Sequence, residues 1–151
     1  MKVLQWLMHL ILEKMRTTRI TPEKITEISE GEVFVFGANQ AGRHGKGAAK
    51  TALGWGAKYG QGAGLQGKTY GIPTKDKTIR YALPVNKIKE YVDDFIAFAK
   101  TRPELIFYVT EIGCNLAGYK PKDIAPLFKD AVEVENFYLP ARFWHKLENN
   151  G

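Results

Sequence analysis

The chain has 151 residues, 44% hydrophobic and 25% charged, which fits one globular domain with a single core and excludes a disordered or fibrous polymer. Its one cysteine, Cys114, excludes an intrachain disulfide and a multi-cysteine metal site, so a reducing cytoplasmic setting is expected. The formal charge of +6 suits an anionic ligand; without a basic run, nucleic acid is the weaker partner.

Residues 1–14 carry an apolar stretch too short to span a bilayer. Glu13-Lys14-Met15-Arg16 follows it where a signal peptide would need small residues, so no membrane partner is expected. The amphipathic pattern predicts a short helix packed on the domain or on a partner. Met15 is an equally good start, so residues 1–15 are set apart as an extension and 16–151 as the single domain.

Residues 17–20 read as extended, followed by a turn at Thr21-Pro22 and a short apolar piece to Ile28. Residues 32–36 form the first strand, apolar enough to be buried on both faces. A glycine-rich turn then opens a helix running from Lys46 toward residue 57, and residues 54–67 are a glycine-rich loop. A strand over 69–72 ends at Pro73-Thr74-Lys75-Asp76. Asn86 is the expected N-cap of a helix to about residue 100, with Ile88, Val92, Phe95, Ile96 and Ala99 as its apolar stripe. Residues 106–110 are the next buried strand, leading into a second glycine turn over 112–119. Pro121 suits the first turn of the following helix, whose inner face is Ile124, Leu127, Phe128 and Ala131. A strand over 136–139 and a helix over 141–147 close the chain.

This alternation implies a three-layer α/β/α domain, with a mixed, mostly parallel sheet and helices on both faces. Ligands of such sheets bind beyond the carboxyl ends of the strands. Both glycine turns and residues 73–76 are expected on that one rim. Glycines admit backbone amides close to a ligand, and a helix start points unpaired N–H groups forward, a combination that favours phosphate. Two such turns suit the two halves of a diphosphate.

The first turn is neither a P-loop nor a dinucleotide fingerprint. Its glycine spacing differs from both, and Gly47 stands where Ser or Thr would bind magnesium. Lys75 is either a charge on the pocket floor or a surface lysine, and a buried lysine beside other cations can act as nucleophile or base. Asp76 is the nearest acid or base, although strand neighbours point opposite ways. His44 and Arg43 lie inside the first turn, where His44 can serve as acid–base, cap the helix or meet phosphate. Cys114 is expected as a small buried filler. Asn39 either reaches a ribose hydroxyl or ties its own turn, and Tyr119 and Trp55 either cover a ring or join the core. The three histidines, His9, His44 and His145, have no ligand-like spacing, so neither a metal nor a cofactor is implied.

Three matches carry a family resemblance: Arg43-His-Gly-Lys-Gly-Ala-Ala49, the strand end Ile72-Pro-Thr-Lys75, and Ile112-Gly-Cys-Asn-Leu116 with its following helix. In their order and spacing over most of residues 33–131 the chain resembles the macrodomain family, which binds ADP-ribose and related nucleotides. It is most similar to the branch that removes terminal ADP-ribose from acidic side chains, and to macrodomain-like proteins of bacteria and phages. The resemblance implies that residues 113–119 (Gly113, Cys114, Asn115, Leu116, Ala117, Gly118 and Tyr119) clasp the diphosphate and distal ribose. It implies that Arg43, Gly45 and Gly47 close over that ribose, beside Gly37, Asn39 and Thr74. A lysine matching Lys75 would attack the anomeric carbon, assisted by an aspartate. Ala117 occupies that aspartate's position, leaving Asp76 or Glu111 as substitutes. Two competing expectations stand beside this one. One is a phosphatase or deacetylase acting on a free ADP-ribose derivative through His44 or Asp76, and the other a non-enzymatic module binding nucleic acid or protein.

Overall fold

The computed structural model describes residues 2–149, with side chains described throughout except at 12, 13 and 15–17. Met1 and residues 150 and 151, the ends of the expected extension and domain, lie outside the described residues.

Five strands form one sheet: β1 (Glu32–Asn39), β2 (Gly64–Gln66), β3 (Thr69–Lys75), β4 (Ile106–Val109) and β5 (Phe137–Tyr138). Their order is β2-β3-β1-β4-β5; β1, β3, β4 and β5 run parallel, and β2 pairs antiparallel with β3. The central strand β1 is covered on both faces, and its pleat sorts its side chains between two cores. Val33 and Val35 enter the larger core, while Phe34, Phe36 and Ala38 enter a smaller one.

The smaller core lies under α2 (Gly47–Leu53), whose Ala49 and Ala52 pack closely. The larger lies under α3 (Val85–Lys100), α4 (Pro121–Ile124), a 3-10 helix (Ala125–Ala131) and α5 (Ala141–Asn149). Handedness explains the unequal layers. The step from β1 to β3 runs one way along the sheet; the steps from β3 to β4 and from β4 to β5 run the other. Right-handed crossovers therefore place their helices on opposite faces. The architecture is α/β with helices on both faces of a mostly parallel mixed sheet.

Several boundaries differ from expectation for identifiable reasons. Residues 17–18 are helical rather than extended: α1 (Lys2–Thr18) continues across residue 15, and the Thr18 hydroxyl donates to the Lys14 carbonyl at 2.8 Å. The extended path begins only at Ile20, which bridges Leu139. Between them, buried Arg19 donates to the carbonyls of Val132 (2.7 Å), Phe137 (3.2 Å) and Val134, and Trp144 Nε1 donates to the Arg19 carbonyl at 2.8 Å. Burial lowers the Arg19 pKa, and nearby Glu135 opposes that shift.

α2 stops at Leu53, where Gly54 and Trp55 turn back onto Thr51 and Ala52. The loop after it contains the unexpected β2. β3 runs on through Pro73, opposite the register shift between Ala38 and Asn39, and a bulge tolerates a residue with no N–H to donate. Pro84, not Asn86, caps α3: its carbonyl accepts from Lys87 and Ile88, so hydrogen bonding starts two residues earlier. The predicted stripe from Ile88 to Ala99 is buried throughout. Beyond Ile124 the next helix tightens to 3-10 form, because Pro126 lacks the N–H that an α-helical bond to residue 122 requires.

Candidate functional site

β1 and β4 lie side by side, yet the chain leaves their carboxyl ends in opposite directions. β1 feeds α2 toward β3, and β4 feeds α4 toward β5. Such a switch point leaves a crevice between the diverging loops. Here it is a cleft of about 680 Å3, within the size range of small-molecule sites.

Both glycine turns face this one cleft. Gly37, Asn39, Arg43, Gly45 and Gly47 line it from the β1 side, Gly113, Asn115, Leu116 and Ala117 from the β4 side, and Thr74 and Lys75 from the end of β3. The two turns approach closely: a Cβ on Gly37 would lie 3.4 Å from the Gly113 amide nitrogen. Gly113 has φ of +74°, and a Cβ there would press to 3.2 Å from Ile124. Side chains larger than a methyl at Gly37 would crowd the second turn, and any side chain at Gly113 would be strained by its positive φ. Lys46 begins α2 without a side-chain cap, so the first amides of the helix open on the cleft.

The electrostatics favour an anion. Arg43, Lys46 and Lys75 are the cations among the described lining residues, and Glu111 is the carboxylate. Arg142 holds Glu111 through two hydrogen bonds of 2.6 and 2.5 Å, so that carboxylate has a cationic partner of its own. The same contact raises the Arg142 pKa.

Other expected site residues sit elsewhere. His44 is fully buried and does not line the cleft; its Nε2–H donates to the carbonyls of Lys58 (2.8 Å) and Gln61 (3.0 Å). Its ring meets Phe36 edge-on, and Nδ1 has no hydrogen-bond partner. The Asp76 carboxylate turns away to accept from the Thr78 hydroxyl (2.6 Å) and amide (3.0 Å), contacts that lower its pKa. Asn39 ties its own turn, donating to the Arg43 carbonyl and accepting from the Arg43 amide.

Cys114 packs half-buried against the larger core outside the cleft lining, where burial foremost, and then Glu111, push its thiol up to about 11. Tyr119 staples its loop to the Leu83 carbonyl at 2.5 Å, and Trp55 packs edge-on against Phe34. Gly118 is outside the lining.

Sequence reasoning missed Tyr59, Ile79 and Thr110. Tyr59, 64% exposed, arrives from the glycine loop, and Ile79 from the turn after β3. Thr110 lies one residue past β4, where the strand-end rule points. Among the described residues, no group of three or more His, Cys, Asp or Glu could hold a metal, and no helix is long and apolar enough to cross a membrane. Neither protein-family models, curated proteins nor solved structures match this chain.

Proposed function

We propose that the cleft binds ADP-ribose or a related nucleotide diphosphate. Amides at Gly45, Lys46 and Gly47 in the first turn and at Gly113, Asn115, Leu116 and Ala117 in the second surround the phosphates, while Arg43, Lys46 and Lys75 balance their charge. One observation carries this reading: two glycine turns and three cations line a single small-molecule-sized cleft at the sheet's switch point. Backbone amides and cations around a concave space suit phosphate better than a neutral ligand.

Binding has more support than hydrolysis. A lysine attack on an anomeric carbon needs a group to take up or return the proton. Ala117 offers none, and Glu111, the one carboxylate among the described lining residues, is engaged by Arg142. A phosphatase or deacetylase chemistry through His44 or Asp76 draws on groups outside the cleft lining.

Isothermal titration with ADP-ribose tests the proposal. A Cβ at Gly45 meets nothing within 4 Å, so Gly45→Glu places bulk and negative charge in the cleft without crowding the fold. It should weaken binding roughly 100-fold at unchanged melting temperature, and Lys75→Ala should weaken it about tenfold, or about 1.4 kcal/mol. Absence of heat at millimolar ADP-ribose with the wild-type protein overturns the reading. Gly118→Glu is a poorer probe, because φ of +83° would strain any side chain there.

A further inference from the structure

Tyr59 stands at the tip of a tight turn over residues 58–61, closed by the Gln61 amide donating to the Lys58 carbonyl at 3.1 Å. Gly60 follows it with φ of +92°, backbone that a turn of this kind reserves for glycine. Three contacts fasten this turn to the first glycine turn. The buried His44 Nε2–H donates to the carbonyls at both of its ends, Lys58 and Gln61. The Gly60 amide donates to the Gly42 carbonyl at 3.0 Å, and the Tyr59 hydroxyl to the His44 carbonyl at 3.4 Å. The His44 ring also flanks the Tyr59 ring, with centroids 5.9 Å apart.

Burying His44 with Nδ1 unpartnered is costly. What it secures is an aromatic ring that lines the cleft and stays largely exposed. A ring ordered before the ligand arrives offers contact area at little entropic cost.

The neutral polar side chains of the lining are poorly placed to read the edge of a base. Asn39 ties its own turn, Thr74 donates to the Ala38 carbonyl at 3.3 Å, and Thr110 donates to the Val35 carbonyl at 2.7 Å. Asn115 is exposed, and its carboxamide carries both donor and acceptor, so it suits opposite patterns by turning over. Adenine presents the N6 donor where guanine presents the O6 acceptor, and telling them apart needs a fixed partner at that atom.

We propose that Tyr59 holds the nucleobase by its face, so that the cleft takes purine nucleoside diphosphate derivatives of either base. This rests on the reading of the cleft as a diphosphate site and adds what the ligand carries beyond its phosphates. Stacking is tolerant of base identity because every base has a π-face. Tyr59 is a specificity-determining residue, and His44 positions it.

Isothermal titration with ADP-ribose and GDP-ribose, which differ only in the base, tests this. The wild type should bind the two with affinities within about tenfold of each other. Tyr59→Ala should weaken both about tenfold, or about 1.4 kcal/mol, at unchanged melting temperature. Tyr59→Phe, which keeps the ring and loses only the hydroxyl, should bind as the wild type does. A wild-type preference for one base greater than about tenfold overturns the proposal. So does a Tyr59→Ala protein that binds ADP-ribose as tightly as the wild type or more tightly. Equal losses in Tyr59→Phe and Tyr59→Ala overturn it as well, because the hydroxyl tie would then matter and not the ring. These three outcomes leave ADP-ribose binding by the wild type intact, whereas absence of heat with both ligands overturns the diphosphate reading and this inference with it.

Discussion

Ile79 shows how a single residue can oppose its own backbone. It is the one non-glycine among the described residues with positive φ, +59°, and it is β-branched. In left-handed backbone its Cβ crowds the carbonyl, at about 1–2 kcal/mol. The turn holds it there: the Ile79 amide donates to the Asp76 carbonyl at 3.0 Å, and the Asp76 amide to Tyr81 at 2.9 Å. Its side chain lines the cleft. Ile79→Gly should therefore stabilise the protein by roughly 0.5–1 kcal/mol, read as a higher urea midpoint at unchanged slope. A lower midpoint would mean that Ile79 packing outweighs the strain. No sequence rule marks this position, because isoleucine is among the least expected residues for it.

Among the elements, α3 was the most readable. Its five inward residues repeat at helical spacing, and each is buried. Phe95 sits at the centre of their contacts, 4.7 Å from the ring of Tyr70, 4.9 Å from Phe137 and 5.4 Å from Phe107. Phe95→Ala should cost about 3–5 kcal/mol, measured by chemical denaturation, because those rings are anchored in three separate strands and cannot collapse into the void. Boundaries were less readable where a neighbour decides them. Pro73 continues a strand because the β1–β3 register shifts beside it, with Thr74 of β3 left over, and Pro84 caps α3 ahead of the better intrinsic capper Asn86.

At the scale of the whole molecule, titration sets an alkaline limit. Burial pushes Tyr70 up to about 12; burial and then the Glu32 contact push Tyr108 to about 12, and Cys114 rises to about 11. The folded chain keeps these protons at a pH where the unfolded chain releases them. Their contribution is complete below the ordinary cysteine value of 9.0 and declines as pH rises toward 12. At the acid end, the Ser29 amide and the Tyr108 hydroxyl hold Glu32 below its usual range. That contribution is present above the ordinary carboxylate value and fades as pH falls through the lowered one. Melting temperature should form a plateau near neutrality and fall above about pH 9, with Tyr70→Phe flattening the alkaline fall. A melting temperature still rising from pH 9 to 11 would contradict these shifts.

The sequence by itself determined the layering, because hydrophobic period is a local property that each segment carries in its own residues. It also determined that two glycine turns would follow strands β1 and β4. Only the tertiary structure decided that the order β3-β1-β4 makes those turns neighbours across one cleft, since strand order depends on long-range pairing that no short segment encodes. It also decided which side chains reach that space. Lys75 faces the cleft, His44 is enclosed by carbonyls of the glycine-rich loop after α2, and Asp76 is spent on a turn. Those fates depend on partners 2 to 17 residues away in sequence, which become neighbours only when the loops close.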